Sequence, residues 1–359
     1  MRTIHVKSTI QSYNIIIGNK IRHDIGKYLT KSYSSILVIT DTNVAELYAF
    51  DIVNALKEQT VFVEVVSSGE QAKNMDTYYA LQTKAIEYGL DRGSLIIALG
   101  GGVIGDLAGF VAATYMRGID YVQVPTTILA HDSSVGGKVA INHEKGKNLI
   151  GSFYPPVLVI YDIDTLQTLP EREIRSGYAE LVKEAMLADL VLMERLLRLS
   201  LLENNSEELA GFLESGIKIK ADIVEQDERE SGKRMFLNLG HTLGHALEVK
   251  YGYGVLTHGE AVAIGLLFTL FVSEKELKTE LPLHALKMWL KKNDFPLKIA
   301  PEMIDDLVEL MRHDKKTTHK QIQMVLLQKL TEPVVRTIDD SKLKNYLTTF
   351  IRVEMKEGI

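Results

Sequence analysis

The chain has 359 residues, no cysteine and a formal net charge of −6, with 46% hydrophobic and 25% charged residues. That length is a prior for two domains, and the composition supports full cores and excludes a disordered chain. The acidic balance argues against a nucleic-acid partner, and without cysteine there are no disulfides or thiolate ligands, so any metal must rely on His, Asp or Glu.

The N-terminus, Met1 to His5, has no apolar signal core, and no run of about 18 apolar residues follows. A soluble cytoplasmic protein without membrane contact is expected. Ser35 to Thr40 (SILVIT) reads as a strand that ends at a helix start, Asp41-Thr42-Asn43, with helix to about Lys57. Val61 to Val66 is the next strand and Asn74 to Tyr88 the next helix. Ser94 to Leu99 reads as a buried strand, followed by glycines and a helix to Tyr115; Tyr121 to Val124 and Val157 to Tyr161 are further strands. Repeated strand–helix–strand order implies a mostly parallel sheet covered by helices. After Leu169-Pro170 the period becomes helical, at Ile174 to Leu187, Leu190 to Leu202, Ser206 to Asp227, Gly240 to Lys250, Glu260 to Lys275 and Leu281 to Asn293, with one β-like run at Gln321 to Leu327. The expected fold is α/β plus all-α: a Rossmann-like parallel-sheet domain over 1–170, then a helical domain over 171–359.

Three constellations could carry chemistry. Gly100-Gly101-Gly102-Val103-Ile104-Gly105-Asp106 contains GxGxxG between a strand and a helix. Glycines let a backbone approach a pyrophosphate at a helix N-terminus, though a tight turn would use the same residues. The glycines follow the third recognised strand rather than the first, and Asp120 precedes the next strand, so Asp41 is the better ribose partner and the dinucleotide arrangement is a variant one. Asp132 to Lys138 (DSSVGGK) and the loop Lys145-Gly146-Lys147-Asn148 combine small residues with lysines, as a phosphate or carboxylate site needs, or a polar surface loop. His241 and His245 are one helical turn apart, and His258 lies 17 residues after His241. With a carboxylate such as Glu180 they could hold a metal with one position open, while spacing leaves undecided which two histidines bind. Lys183, Lys220, Lys233, Arg234, Arg117, Lys315 and Lys316 punctuate the helical stretches; each alone reads as a solvated charge.

The ordered segments LGGGVIGDLAGFVAATYMRG (Leu99 to Gly118), VPTT (Val124 to Thr127), DSSVGGK, GKNLIGSFYPP (Gly146 to Pro156), AELVK (Ala179 to Lys183), LNLGHTLGHALE (Leu237 to Glu248) and HGEAV (His258 to Val262) resemble the 3-dehydroquinate synthase family across roughly residues 35 to 320. The resemblance implies an NAD-binding domain followed by a helical domain with one divalent metal, zinc or in its place cobalt. It implies a homodimer that converts 3-deoxy-arabino-heptulosonate 7-phosphate to 3-dehydroquinate and phosphate. The steps would be transient oxidation by NAD, β-elimination, reduction and intramolecular aldol closure.

By matched position, the resemblance implies Glu180, His241 and His258 as metal ligands, with His245 facing substrate. NAD contacts fall on Asp41, Asn43, Glu70, Lys73, Gly101, Gly102, Val103, Asp106, Thr126, Thr127, Lys138, Lys147, Thr165 and Thr168. Substrate contacts fall on Arg117, Asp132, Lys138, Asn148, Lys183, Lys220, Glu230, Arg234, Asn238, His245 and Lys315. Of these, Lys138, Asn148, Lys183, Glu230 and His245 carry catalytic roles.

The chain departs from the family at ILAHDSS, where LLAQVDSS is usual. One residue fewer precedes Asp132 and His131 occupies the gap, so an altered turn is expected there. The rival readings are another sugar phosphate cyclase, a metal-dependent polyol dehydrogenase and a non-catalytic binding protein. Polyol dehydrogenases share the architecture but usually carry Asp where Glu180 stands and lack the lysine of DSSVGGK. The full set of polar candidates argues against a non-catalytic protein.

Overall fold

A computed structural model describes residues 1–201, 206–230, 232–252, 254–313 and 322–355. The strands are β1 (Arg2–Val6), β2 (Tyr13–Gly18), β3 (Ile36–Asp41), β4 (Val61–Val66), β5 (Leu95–Gly100), β6 (Asp120–Pro125), β7 (Lys138–His143), β8 (Gly146–Phe153), β9 (Leu158–Asp162), β10 (Ile322–Lys329) and β11 (Glu332–Ile338). Between the strands of the first half lie α1 (Thr42–Val44), which runs through a π-helical turn into α2 (Phe50–Ala55), then α3 (Met75–Glu87), α4 (Gly102–Thr114) and α5 (Ala130–Ser133). The later helices are α6 (Glu171–Ala188), α7 (Leu190–Arg198), α8 (Ser206–Gln226), α9 (His241–Tyr251), α10 (His258–Leu277), α11 (Leu283–Lys292), α12 (Ile304–His313) and α13 (Asp340–Glu354). Among the described residues no helix is long and apolar enough to cross a membrane.

The chain forms two compact units. The first, Met1–Pro170 with Asn205–Glu228, is built on a seven-stranded sheet of order β1-β2-β9-β6-β5-β3-β4. Every pair is parallel except β1 with β2. β3 and β5 bury almost every side chain on both faces, which is why they read as unbroken apolar runs rather than alternating ones. One core, around Leu37, Ile39, Ala98, Leu107 and Val111, covers one face of the sheet; another, around Ile25, Val38, Ile52, Ile97 and Val122, covers the other. β3 pairs with β4 on one side and β5 on the other, so the chain reverses direction across the sheet at β3/β5. The carboxyl ends of strands at such a reversal are where open α/β sheets bind ligands.

α8 belongs to this first unit, not to a helical domain that begins at 171. Its anchors are specific. Arg2 contacts Glu214 at 2.5 Å and Glu207 at 2.5 Å, the Lys7 amide donates to Glu225 at 2.9 Å, and Ser8 and Thr9 bond Glu228. Arg2 belongs to β1, and Lys7, Ser8 and Thr9 to the connection between β1 and β2, a sheet edge that was not legible in the sequence. The loop expected at Lys145 to Asn148 lies in the antiparallel hairpin β7–β8, which pairs from Lys138↔Phe153 to His143↔Gly146 with a register shift between Ile141 and His143.

The second unit, Glu171–Asn204 with Arg229–Ile359, is mainly helical. It also holds a hairpin, β10–β11, of which only the first strand has a clear β pattern in the sequence. α10 is its central element. From Gly259 to Ser273 every residue is buried, so its pattern is apolar all round, as expected of a core helix.

Candidate metal centre and dinucleotide loop

Three helices of the second unit converge because small residues let their backbones touch. A Cβ on Gly259 of α10 would lie 2.0 Å from the Ser176 carbonyl oxygen of α6, and one on Gly265 would lie 1.8 Å from the Gly240 carbonyl oxygen just before α9. Ser176 Oγ accepts from the Gly259 amide at 3.0 Å. The start of α10 is fixed by a capping box, with Thr257 Oγ1 accepting from the Glu260 amide at 3.3 Å and Glu260 accepting from the Thr257 amide at 2.9 Å. Arg175 of α6 adds a contact to Glu260 at 3.2 Å. Glu180 lies one turn after Ser176, and His241 and His258 are the first residues of α9 and α10, so the close approaches bring all three together.

The Nε2 atoms of His241 and His258 each lie 3.6 Å from Glu180 Oε1. Two ligands of a tetrahedral ion with bonds of about 2.0–2.1 Å sit roughly 3.4 Å apart, so the spacing fits one shared cation. The protonation pattern fits too. His241 Nδ1 faces the Leu239 carbonyl at 3.1 Å and His258 Nδ1 faces Glu248 at 2.9 Å. Both partners only accept, so both Nδ1 atoms donate, which leaves each Nε2 facing the Glu180 carboxylate and able to offer its lone pair to a metal there. Two Nε2 atoms and a carboxylate oxygen facing one another need positive charge among them, a metal cation or a proton. Burial pushes His241 well below the ordinary histidine value, keeping it neutral. Burial acts the same way on His258, but Glu248 and Glu180 outweigh it and raise that ring to about 10, so in the metal-free protein a proton balances the group.

His245, half-buried, packs its ring 5.2 Å from His241 and 5.9 Å from His258. It does not join the Glu180 group, although with Glu248 and His258 it forms a second cluster of ligand type. Lys183, almost fully buried, bonds Glu180. Asn238 donates to Glu230 at 3.3 Å, and Glu230 holds a left-handed backbone at φ 58. Arg234 is buried in the same unit. Lys315 lies outside the described residues. The sequence reading gave no role to Glu248; the usable signal was its place three residues after His245 and seven after His241, on one helix face.

In the first unit, Asp41 ends β3 and Gly100 ends β5, on adjacent strands at the reversal. Asp41 Oδ1 caps α1, accepting from the Asn43 and Val44 amides at 2.9 and 3.1 Å. Gly101 and Gly102 open α4, whose N-terminus has no side-chain cap. The Thr126 amide donates to Gly100 at 3.1 Å, and Thr127 packs against Gly101. Nearby, Lys73 bonds Asp106 at 2.5 Å and Asn148 at 2.6 Å, and Lys147 lies 3.9 Å from Glu70. Asn142, unassigned from sequence, ties these together: its side chain bonds Glu70 at 2.8 Å and the Asn148 amide at 2.9 Å, and its own amide bonds the Lys73 carbonyl at 2.8 Å.

Elsewhere in this unit, Thr168 bonds Tyr48 at 2.7 Å, and Thr165 is fully buried with its hydroxyl on the Asp162 carbonyl. The Val103 backbone lies in the first turn of α4. Lys220 of α8 holds both the carbonyl and the carboxylate of Asp132, at 2.5 and 2.6 Å. His131 is fully buried just before it, bonding the Ile128 carbonyl at 2.6 Å, so the turn is shaped by a buried imidazole. Arg117 and Lys138 are exposed.

Comparisons with known proteins span nearly the whole chain. Residues 63–176 match the family model described as 3-dehydroquinate synthase N-terminal, and residues 177–317 match 3-dehydroquinate synthase C-terminal. The chain belongs to the 3-dehydroquinate synthase family. A 3-dehydroquinate synthase from Oceanobacillus iheyensis is 54% identical over 98% of both chains, and one from Bacillus pumilus is 48% identical over 99% of both. Among solved structures, a 2-deoxy-scyllo-inosose synthase complexed with carbaglucose-6-phosphate, NAD+ and Co2+ has a TM-score of 0.87 at 27% identity, covering 97% of this chain and all of the other. A glycerol dehydrogenase from Sinorhizobium meliloti, described as probable, shares the fold alone, with a TM-score of 0.66 at 17% identity over 94% of this chain and 97% of its own.

Proposed function

We propose that this chain catalyses the 3-dehydroquinate synthase reaction, a phosphate-eliminating carbon–oxygen lyase reaction that turns 3-deoxy-arabino-heptulosonate 7-phosphate into 3-dehydroquinate and phosphate on the route to aromatic amino acids. The observation that carries the site reading is the group of three facing acceptors, Glu180 Oε1 and the two Nε2 atoms 3.6 Å from it. NAD, when bound, supplies a hydride acceptor restored within each turnover, and the divalent cation, zinc or cobalt, supplies a Lewis acid for a substrate hydroxyl.

The residues then divide the work. The β3/β5 reversal, with Asp41, Gly101, Gly102, Thr126 and Thr127, takes the dinucleotide, and Glu180, His241 and His258 take the cation. The substrate's phosphate and carboxylate need cations, which Lys138, Lys183, Lys220, Arg117 and Arg234 provide. Lys183 and Lys220 are held by Glu180 and Asp132, which fixes their positions for an anion. His245, beside the cation ligands and half-buried, takes or returns a proton at its ring, and Asn148, Glu230 and Asn238 orient substrate hydroxyls. We read the protein as a cytoplasmic homodimer, which light scattering after size exclusion tests.

The deciding assay is phosphate release from the heptulosonate phosphate, with and without NAD and a chelator. Release should require both NAD and metal, with no net NADH. Net NADH from a polyol would favour a dehydrogenase, and release only from sedoheptulose or glucose phosphate would favour another cyclase.

A further inference from the structure

We infer that Glu248 is a positioning residue of the metal centre. It fixes the tautomer and the angle of His258 and is not itself a ligand. The inference rests on the metal reading above and extends it beyond the three ligands.

Two groups of ligand type share His258: Glu180–His241–His258 and His245–Glu248–His258. One imidazole cannot serve both with the same nitrogen, and the geometry separates its two nitrogens. Nδ1 lies 2.9 Å from Glu248 Oε2, the length of a charge-assisted hydrogen bond and shorter than the roughly 3.4 Å between two ligands of a tetrahedral ion. Nε2 lies 3.6 Å from Glu180 Oε1, the longer spacing that two ligands adopt. Glu248 is buried on α9, with His258 opening α10, so the bond runs between two helices and sets the ring against a fixed carboxylate. His241 is held in the same sense by a backbone carbonyl, Leu239, on its own Nδ1. The two histidines are thus oriented by different means, and only that of His258 depends on a side chain that mutation can remove. A carboxylate on the far nitrogen also raises the basicity of the near one, so it both aims and strengthens the ligand.

The test compares full-length wild type, Glu248→Gln, Glu248→Ala and, as a benchmark for a lost ligand, His258→Ala. Zinc is titrated against a chromophoric chelator at fixed pH, the visible spectrum of each Co(II)-loaded form is recorded, and NAD affinity and metal-free melting curves serve as controls. Glu248→Ala should keep one metal per chain and the wild-type coordination number in the Co(II) spectrum while zinc affinity falls about 10–100-fold. Glu248→Gln should lose less, because its amide oxygen still accepts the Nδ1 proton. NAD affinity should not change. Unchanged zinc affinity in Glu248→Ala would make the contact idle. A Co(II) spectrum with one ligand fewer, or loss of the metal as in His258→Ala, would make Glu248 a ligand. A wild type that binds no metal would remove the metal reading itself, a result separate from either failure of the Glu248 variants.

Discussion

Replacing Gly265 by alanine should damage the metal centre without touching a ligand. The new Cβ would stand 1.8 Å from the Gly240 carbonyl oxygen and 2.8 Å from its carbon, with the Gly244 amide nitrogen at 3.2 Å. All three are backbone atoms, so no rotamer change relieves the clash. A carbon and a carbonyl oxygen approach no closer than roughly 3.3 Å, so the backbone before α9 must retreat from α10 by about 1.5 Å. Overpacking of this kind costs about 1–3 kcal/mol, and an unyielding neighbour puts the cost at the upper end. His241 follows Gly240 directly, and a ligand set works only within about 0.5 Å of its geometry, so zinc affinity should fall more than tenfold. Urea midpoints of the metal-free proteins and a zinc titration measure the two effects. The control is Gly211→Ala in α8, where a Cβ meets only the tip of Arg2 at 3.6 Å. Removing a helix-interior glycine there should leave stability unchanged or raise it by up to about 1 kcal/mol. If Gly265→Ala matches Gly211→Ala in midpoint and zinc affinity, close helix approach does not build this site.

Two further changes probe the same centre. Glu180→Ala should lose zinc and cost about 3 kcal/mol in stability, because buried Lys183 loses its carboxylate partner; Glu180→Ala/Lys183→Met should recover much of the stability but none of the metal, as urea midpoints and zinc titration would show. Thr257→Ala removes half of the capping box just before His258, so it should cost about 1 kcal/mol and weaken zinc binding while leaving NAD affinity intact; equal zinc affinity would mean that the first turn of α10 holds without its cap.

The sequence made the parallel sheet legible because β3, β5, β6 and β9 are buried on both faces and appear as β-branched runs separated by helical periods. The edges were not legible. β1, β2, β7 and β8 are as long as the legible strands, but they pair antiparallel, and hairpin pairing is a property of two segments at once, so Lys138 to Phe153 reads locally as small residues and lysines. The domain division was blurred for the same reason. α8 has an ordinary helical period, and nothing within it says that Arg2, Lys7 and Ser8, some two hundred residues earlier, will hold it against the sheet.

At the metal centre the local pattern pointed two ways, and the difference is instructive. Two histidines one turn apart are a familiar ligand pair, yet His245 stands outside the Glu180 group while His258, from another helix, stands inside it. Helical spacing determines which side chains share a face; it says nothing about which face meets which. That is settled by the approach of Gly259 to Ser176 and of Gly265 to Gly240, close enough to exclude any Cβ, and by the hydrogen bonds that turn each Nε2 toward one carboxylate oxygen. The charges around Glu180 reinforce this choice. Glu180 is shared between Lys183, on one oxygen, and the two histidines, near the other, so its charge is already divided between a buried lysine and the proposed metal ligands. A single carboxylate in this position links metal occupancy to the lysine proposed to hold substrate.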